Sequence, residues 1–262
     1  MRKFLIVLFG LFALNSICAA EPRTFALIVG ISQYPNLPKE LWLQYPKADA
    51  AALAKTLAVP PDQLLLLTDG QATTAALREA FKTFLKRPGK DDTVFIFIAG
   101  HGNVDDHGAY ILTSDSDPSN LAGTAMPMAE IQKLITTGLA NAGHVVFLAD
   151  VCRAGMIGSI KLGNVVEQIG EDAPGELLGL MAARPRELSI EGPDFGGGHG
   201  AFTDSVLRAL GGAADTDHDG VVTAGELIDY VTKDVPVKTR DKQHPREFGD
   251  MDNSTKLASV SK

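Results

Sequence analysis

Apolar, β-prone runs recur along this chain with helical segments between them, and that alternation constrains its fold more than any other feature. TFALIVGIS, from Thr24, is followed by Ala50, Leu53, Ala54 and Leu57 at helical spacing, and Pro60-Pro61 closes that helix. LLLLT, from Leu64, precedes Leu77, Phe81, Phe84 and Leu85, which predict a second amphipathic helix. TVFIFIAG, from Thr93, ends at a loop and a short extended piece, AYILT. A third helix follows, with Ile131, Leu134 and Ile135 on one face, and then HVVFLAD from His144. ELLGLMAA, the GGGHG turn and AFTDSVLRAL complete the series. Residues 153–176 are glycine-rich and aperiodic, and read as a long loop. Strands that alternate with helices return parallel to one another and bury both faces. The expected fold class is therefore α/β, with three layers and a mostly parallel sheet flanked by helices.

The 262 residues suffice for one large α/β domain or two small ones. A net charge of -8 excludes a nucleic-acid binder, which needs a basic face, and a polybasic membrane-surface protein. The hydrophobic content, 45%, is too high for disorder. Two cysteines cannot make a disulfide scaffold or a Cys-rich zinc site. The first twenty residues read as an address. Arg2 and Lys3 precede FLIVLFGLFAL, too short to span a bilayer, and Cys18-Ala19-Ala20 supplies the small residues of a cleavage site. Ile17 stands where a lipoprotein signal requires a small residue. The expectation is a signal peptide over 1–20 and one domain over 21–262. The mature chain would be periplasmic or secreted, without membrane attachment, and Cys152 would be its sole thiol.

In such folds the functional site lies outside the carboxyl ends of the strands. TVFIFIAG runs into His101-Gly102, and HVVFLAD runs into Val151-Cys152. A thiol and an imidazole at one sheet edge form a candidate nucleophile–base pair, and the amides of Gly102 and Cys152 are candidate oxyanion donors. A phosphatase loop would need Cys-x5-Arg, but position 158 is Gly158. A redox pair would need a second cysteine. A buried structural thiol is the bland alternative for Cys152. Among the other histidines, His107, His144, His218 and His244 compete poorly as the base, and His199 is kept as a neighbour of the cleft.

IAGHG followed by LADVCRAG resembles the paired signatures of the caspase-like clan, that is caspases, metacaspases and their bacterial relatives. His101 precedes Cys152 by about 50 residues, the separation usual in caspases. KADAAALAKTL and HGAFTDSVLRAL extend the resemblance over most of the chain, from Thr24 to about Tyr230. The resemblance implies a caspase-like fold and a cysteine endopeptidase with a Cys152–His101 dyad. In metacaspase-like enzymes, carboxylates matching Asp49 and Asp150 line the S1 pocket and select a P1 Arg or Lys. The implied partner is thus a peptide or protein with a basic P1 residue. One departure is visible: relatives usually read D-x-C-x-S-G, and here Ala154 replaces the serine. A protease of this specificity would find a processing site at Lys161, in the small, polar setting GSIKLGN.

A second constellation spans 215–226. Asp215, Asp217, Asp219, the Val221 carbonyl and Glu226 match the ligand positions of an EF-hand loop, with Gly220 at its sharp turn. The expected cofactor is one Ca²⁺, acting as a brace of the fold. The alternative is a solvated acidic turn in which Thr223 and Glu226 form a helix capping box. Two further functions stay open: a catalytically inactive, calcium-stabilised interaction module, and another thiol hydrolase.

Overall fold

The computed structural model describes residues 21–139, 141–152, 176–184 and 187–260, with Cys152 described by its backbone only. The expected signal peptide, most of the expected 153–176 loop, Ala154 and Lys161 lie outside the described residues. Strands β1 (Thr24–Gly30), β2 (Leu64–Thr68), β3 (Thr93–Asp105), β6 (His144–Cys152) and β7 (Glu176–Met181) form the sheet core. They are mutually parallel, in the order β7-β6-β3-β1-β2.

The pleat sorts these apolar runs onto two faces, because successive side chains point to opposite sides. Phe25, Leu27, Val29, Ile96 and Phe147 face one layer, which holds α2 (Thr74–Lys82) and α4 (Met128–Gly138). Ala26, Ile28, Phe95, Phe97 and Leu148 face the other. That layer holds α1 (Pro46–Leu57), α5 (Ala201–Arg208) and α6 (Ala224–Lys238). Burial on both faces explains why the strands read as unbroken apolar runs. Phe95 and Phe97 are fully buried, and truncating either to Ala would cost about 3–5 kcal/mol. The α/β, three-layer expectation holds.

Three local features differ from the sequence reading. The second helix stops at Lys82, and Phe84 and Leu85 lie in a separate short turn, Phe84–Lys86. The break lies at Thr83, whose amide makes the last helical bond, to Glu79 O, while its own backbone departs from helical geometry (φ −118°, ψ −62°). Second, β3 does not stop at IAG but runs to Asp105. It does so because β4 (Gly108–Ile111) folds back on it antiparallel, and β5 (Met126–Pro127) pairs β4. His107 sits in the exposed turn of that hairpin. Third, β11 (Arg246–Gly249) adds antiparallel to β7 and ends the sheet. Two small pairs complete the set: β8 (Glu191–Gly192) with β9 (His199–Gly200), and β10 (Val221–Thr223) with β12 (Lys256–Ser259). Among the described residues no helix is long and apolar enough to cross a membrane.

Candidate active site

The last pair in the β3–β6 register is His101 opposite Cys152. His101 continues the α1 face of β3 begun by Phe97 and Ala99, and Asp150, in register with Ala99, shares that face. The extension of β3 also sets the Gly102 amide. Leu112 N–H donates to His101 O, which makes Gly102–Ile111 a non-hydrogen-bonded pair. The Gly102 N–H therefore faces away from β4, toward the side where β6 ends at Cys152.

His101 is buried, and three groups from the loop after β1 hold it. Its N–H donates to the Tyr34 hydroxyl at 2.8 Å, and the two rings pack with centroids 4.9 Å apart. Its Nε2 lies 2.6 Å from Leu41 O, an acceptor only, so Nε2 carries a proton and Nδ1 is left as the basic nitrogen. Among the described residues Nδ1 is buried without a hydrogen-bond partner. Burial lowers the imidazole pKa below its ordinary value, against smaller opposing effects of the Leu41 carbonyl and the Glu191 charge. The supporting loop is itself pinned: Trp42 Nε1 donates to Tyr34 O (2.9 Å), and Leu43 N to Ser32 O (3.1 Å). Gly100 is required beneath it, since a Cβ there would come within 2.6 Å of the Tyr34 hydroxyl.

Asp49 and Asp150 converge on a small cavity beside this pair, with Ser189, Glu191 and Gly200 also in its wall. Asp49 is a first-turn acid of α1, but it is only 2% exposed, so a helix-dipole role alone does not account for it. Its carboxyl accepts the Gly200 N–H (3.2 Å) and shares a proton with His199 Nδ1 (2.6 Å). Asp150 accepts the hydroxyls of Ser189 (2.5 Å) and Thr203 (2.6 Å), one on each oxygen. Burial first, then the Asp150 charge, push Asp49 up to about 9. Burial also raises Asp150, against the two hydroxyls that donate to it. The Glu191 charge opposes ionisation of both. Negative charge in this cavity is disfavoured unless a cation accompanies it.

The structure thus brings together His101, Cys152, Gly102, Asp49 and Asp150, with His199 as their neighbour. Sequence reasoning missed Tyr34, the Leu41 carbonyl, Ser189, Thr203 and Glu191. Tyr34 stood inside a turn cluster, a backbone carbonyl leaves no signal in a sequence, and Ser189 and Glu191 lie in an aperiodic stretch.

At the acidic loop, carboxylate oxygens of Asp215, Asp217 and Asp219 lie within 4.8 Å of one another. Gly220 takes φ +87° at the turn, and the amides of Asp219, Gly220 and Val221 donate to the loop's own carboxylates. This all-oxygen donor set fits a hard cation such as Ca²⁺. Glu226 does not join the cluster. Its carboxylate accepts the Thr223 and Thr216 amides, both at 3.0 Å, and Thr223 completes the capping box of α6. As a calcium ligand, Glu226 would have to give up those donors.

The comparisons with known proteins follow this geometry. No curated protein sequence matches the chain significantly. A solved structure, protein GSU0716 from Geobacter sulfurreducens, superposes with a TM-score of 0.65. It is 17% identical, and the match covers 92% of this chain and 100% of that one, a likeness of fold. The family model of the caspase domain matches residues 23–253, strand β1 through β11, with both strand-end motifs inside the match. The chain belongs to the caspase domain family of peptidases.

Proposed function

We propose that this protein is an exported cysteine endopeptidase that cleaves after Arg or Lys, braced by one Ca²⁺. The observation that carries the reading is His101: paired in register with Cys152, fixed through Nε2 to Leu41 O, and buried with Nδ1 unpartnered among the described residues. With Nε2 committed to the Leu41 carbonyl, Nδ1 keeps the lone pair that a general base needs.

In this reading a basic P1 side chain enters the cavity of Asp49 and Asp150, and its charge displaces the proton held there. Nδ1 of His101 takes the Cys152 thiol proton, and the thiolate attacks the scissile carbonyl carbon. The amides of Gly102 and Cys152 hold the oxyanion. His101 then protonates the leaving amine as the C–N bond breaks. A water, deprotonated by His101, attacks the thioester, and the C–S bond breaks to return the thiol. The lowered pKa suits His101 to start as a neutral base. Tyr34 and Leu41 only orient the ring. Asp215, Asp217 and Asp219 would hold the Ca²⁺, which supplies charge neutralisation to the turn before α6 and no chemistry to the cleft. Self-cleavage after Lys161 is consistent with the same specificity.

The deciding experiment is cleavage of short peptides that differ only at P1, with Cys152→Ala as control. Turnover confined to Arg and Lys is expected. A preference for Asp or for apolar P1 residues would reject the acid-pocket assignment.

A further inference from the structure

Helix α6 ends at Lys238, and the chain then turns through Arg240 (φ +54°) and Asp241 (φ +62°). Two consecutive non-glycine residues in the left-handed region are unfavourable and persist only where the surroundings impose them. What the turn achieves is to send Gln243 inward, where it is fully buried. Its Nε2 donates to Ala182 O (2.9 Å) and to Ser189 Oγ (3.2 Å), and its Oε1 accepts the Ile190 N–H (2.8 Å). Its own amide donates to Thr239 Oγ1 at 3.2 Å. Ala182 and Ile190 mark the two ends of the connection from β7 to β8, so one side chain ties both ends together. His244 holds the same connection outside: its N–H and Nδ1 each lie 2.8 Å from a Glu187 oxygen.

The chemistry of this tie reaches the cavity through Ser189. A serine hydroxyl has one proton. Because Ser189 Oγ accepts from Gln243, that proton is directed to Asp150 Oδ1, 2.5 Å away. A donor on the carboxylate favours its ionised form, which is the form that takes a cation. Without Gln243, Ala182 O would lose its donor and compete with Asp150 for the Ser189 proton. The Ile190 N–H would lose its acceptor as well.

We infer that Gln243 is a positioning residue for substrate specificity, aligning the Ser189 hydroxyl so that Asp150 is presented as an anion to a basic P1 side chain. This rests on the reading of the acid cavity as the P1 site, but it adds a residue that never touches substrate. A residue that merely filled the core would behave differently: Gln243→Leu keeps most of the volume and removes only the hydrogen bonds. Gln243→Glu keeps the shape but places an acceptor against Ala182 O and Ser189 Oγ, which would draw the Ser189 proton away from Asp150.

The test uses the full chain and two probes, a P1-Arg peptide for turnover and benzamidine, which fills a cationic P1 site alone, for calorimetric binding. Gln243→Leu, Gln243→Glu and Ser189→Ala should each raise KM about tenfold with kcat changed far less. Each should weaken benzamidine by a similar factor and move the acidic limb of kcat/KM to higher pH. The double variant Gln243→Leu/Ser189→Ala should lose no more than one single variant, because both act along one path. Ser189→Ala keeps the test decisive if Gln243→Leu fails to fold. Additive losses, or KM and benzamidine affinity within twofold of wild type, would overturn the inference while leaving the P1 assignment intact. A wild type that neither cleaves after Arg nor binds benzamidine would overturn the P1 assignment, and this inference with it.

Discussion

Asp49 and Asp150 meet under the carboxyl edge of the sheet, whereas Asp215, Asp217 and Asp219 meet in the turn before α6, and the two groups handle charge in opposite ways. The first pair is almost fully buried, walled by Glu191 and tied to hydroxyls and a histidine. Burial drives both carboxyls toward their neutral forms. The loop acids are exposed or half-buried, and the amides of the turn itself donate to them. Water already solvates such charges, so an ion gains less there. The lesson is that a carboxylate cluster becomes selective when the fold has removed its water. In the proposed reading the buried pair would discriminate among ligands that carry charge into the sheet edge, while the exposed cluster would serve as a modest brace.

The sharpest way to break this contrast is to remove the chemistry beside the buried pair. Cys152→Ala and His101→Ala should each lower kcat by roughly 10³-fold or more, with the circular dichroism spectrum retained, because dyad members act as a unit. Near-normal turnover in either variant would sink the dyad. Loss of the fold in His101→Ala would show instead that its Tyr34 and Leu41 contacts are structural.

A second, smaller effect should follow from the acid pair itself. Asp49→Asn is expected to lower kcat/KM on a P1-Arg peptide by roughly 10²-fold, since a desolvated charge partner is lost. Its pH dependence has a definite sign. Asp49 stands at about 9 in the fold against an ordinary 3.8, so the folded state holds the proton more tightly. The stability this provides is complete below about pH 4 and is lost as pH rises toward 9. Melting curves should therefore show Asp49→Asn gaining on wild type from pH 4 to pH 9. A constant difference across that range would mean that Asp49 is an ordinary ionised acid.

The smallest effect belongs to the loop. At a Kd of roughly 10⁻⁴ M, about 1 mM Ca²⁺ would stabilise the fold by only about 1.4 kcal/mol. That is a few degrees in Tm, absent in Asp219→Ala. Peptide turnover should survive EGTA in part. A wild-type melting curve indifferent to Ca²⁺ would remove the calcium site. Complete, reversible loss of turnover in EGTA would make the ion an activator and close the gap between the two regions.

Much of this molecule was legible from local rules. Alternation of β-prone and helical runs marked the sheet strands and the three layers, since burial on both faces imposes unbroken apolar runs. His101 and Cys152 stood out because each follows such a run, and parallel strands end at a common edge. The clustering of Asp215, Asp217 and Asp219 was legible because the three acids alternate within one short segment.

Other features were decided only by tertiary contact. Nothing local marks Leu41, whose contribution to His101 is a carbonyl that every residue carries. The burial of Asp49, and so its raised pKa, depends on β9 and Asp150 arriving from distant parts of the chain. Glu226 illustrates the reverse case. Its spacing served equally well for an ion and for a helix cap, and the fold gives its carboxylate to the Thr223 and Thr216 amides. Sequence by itself determined which segments are strands, which residues end them and which acids share a loop, because these follow from periodicity and short-range spacing. Tertiary structure alone decided which carboxylates lose their water and which imidazole nitrogen carries the proton, because desolvation and tautomer depend on neighbours far away in sequence.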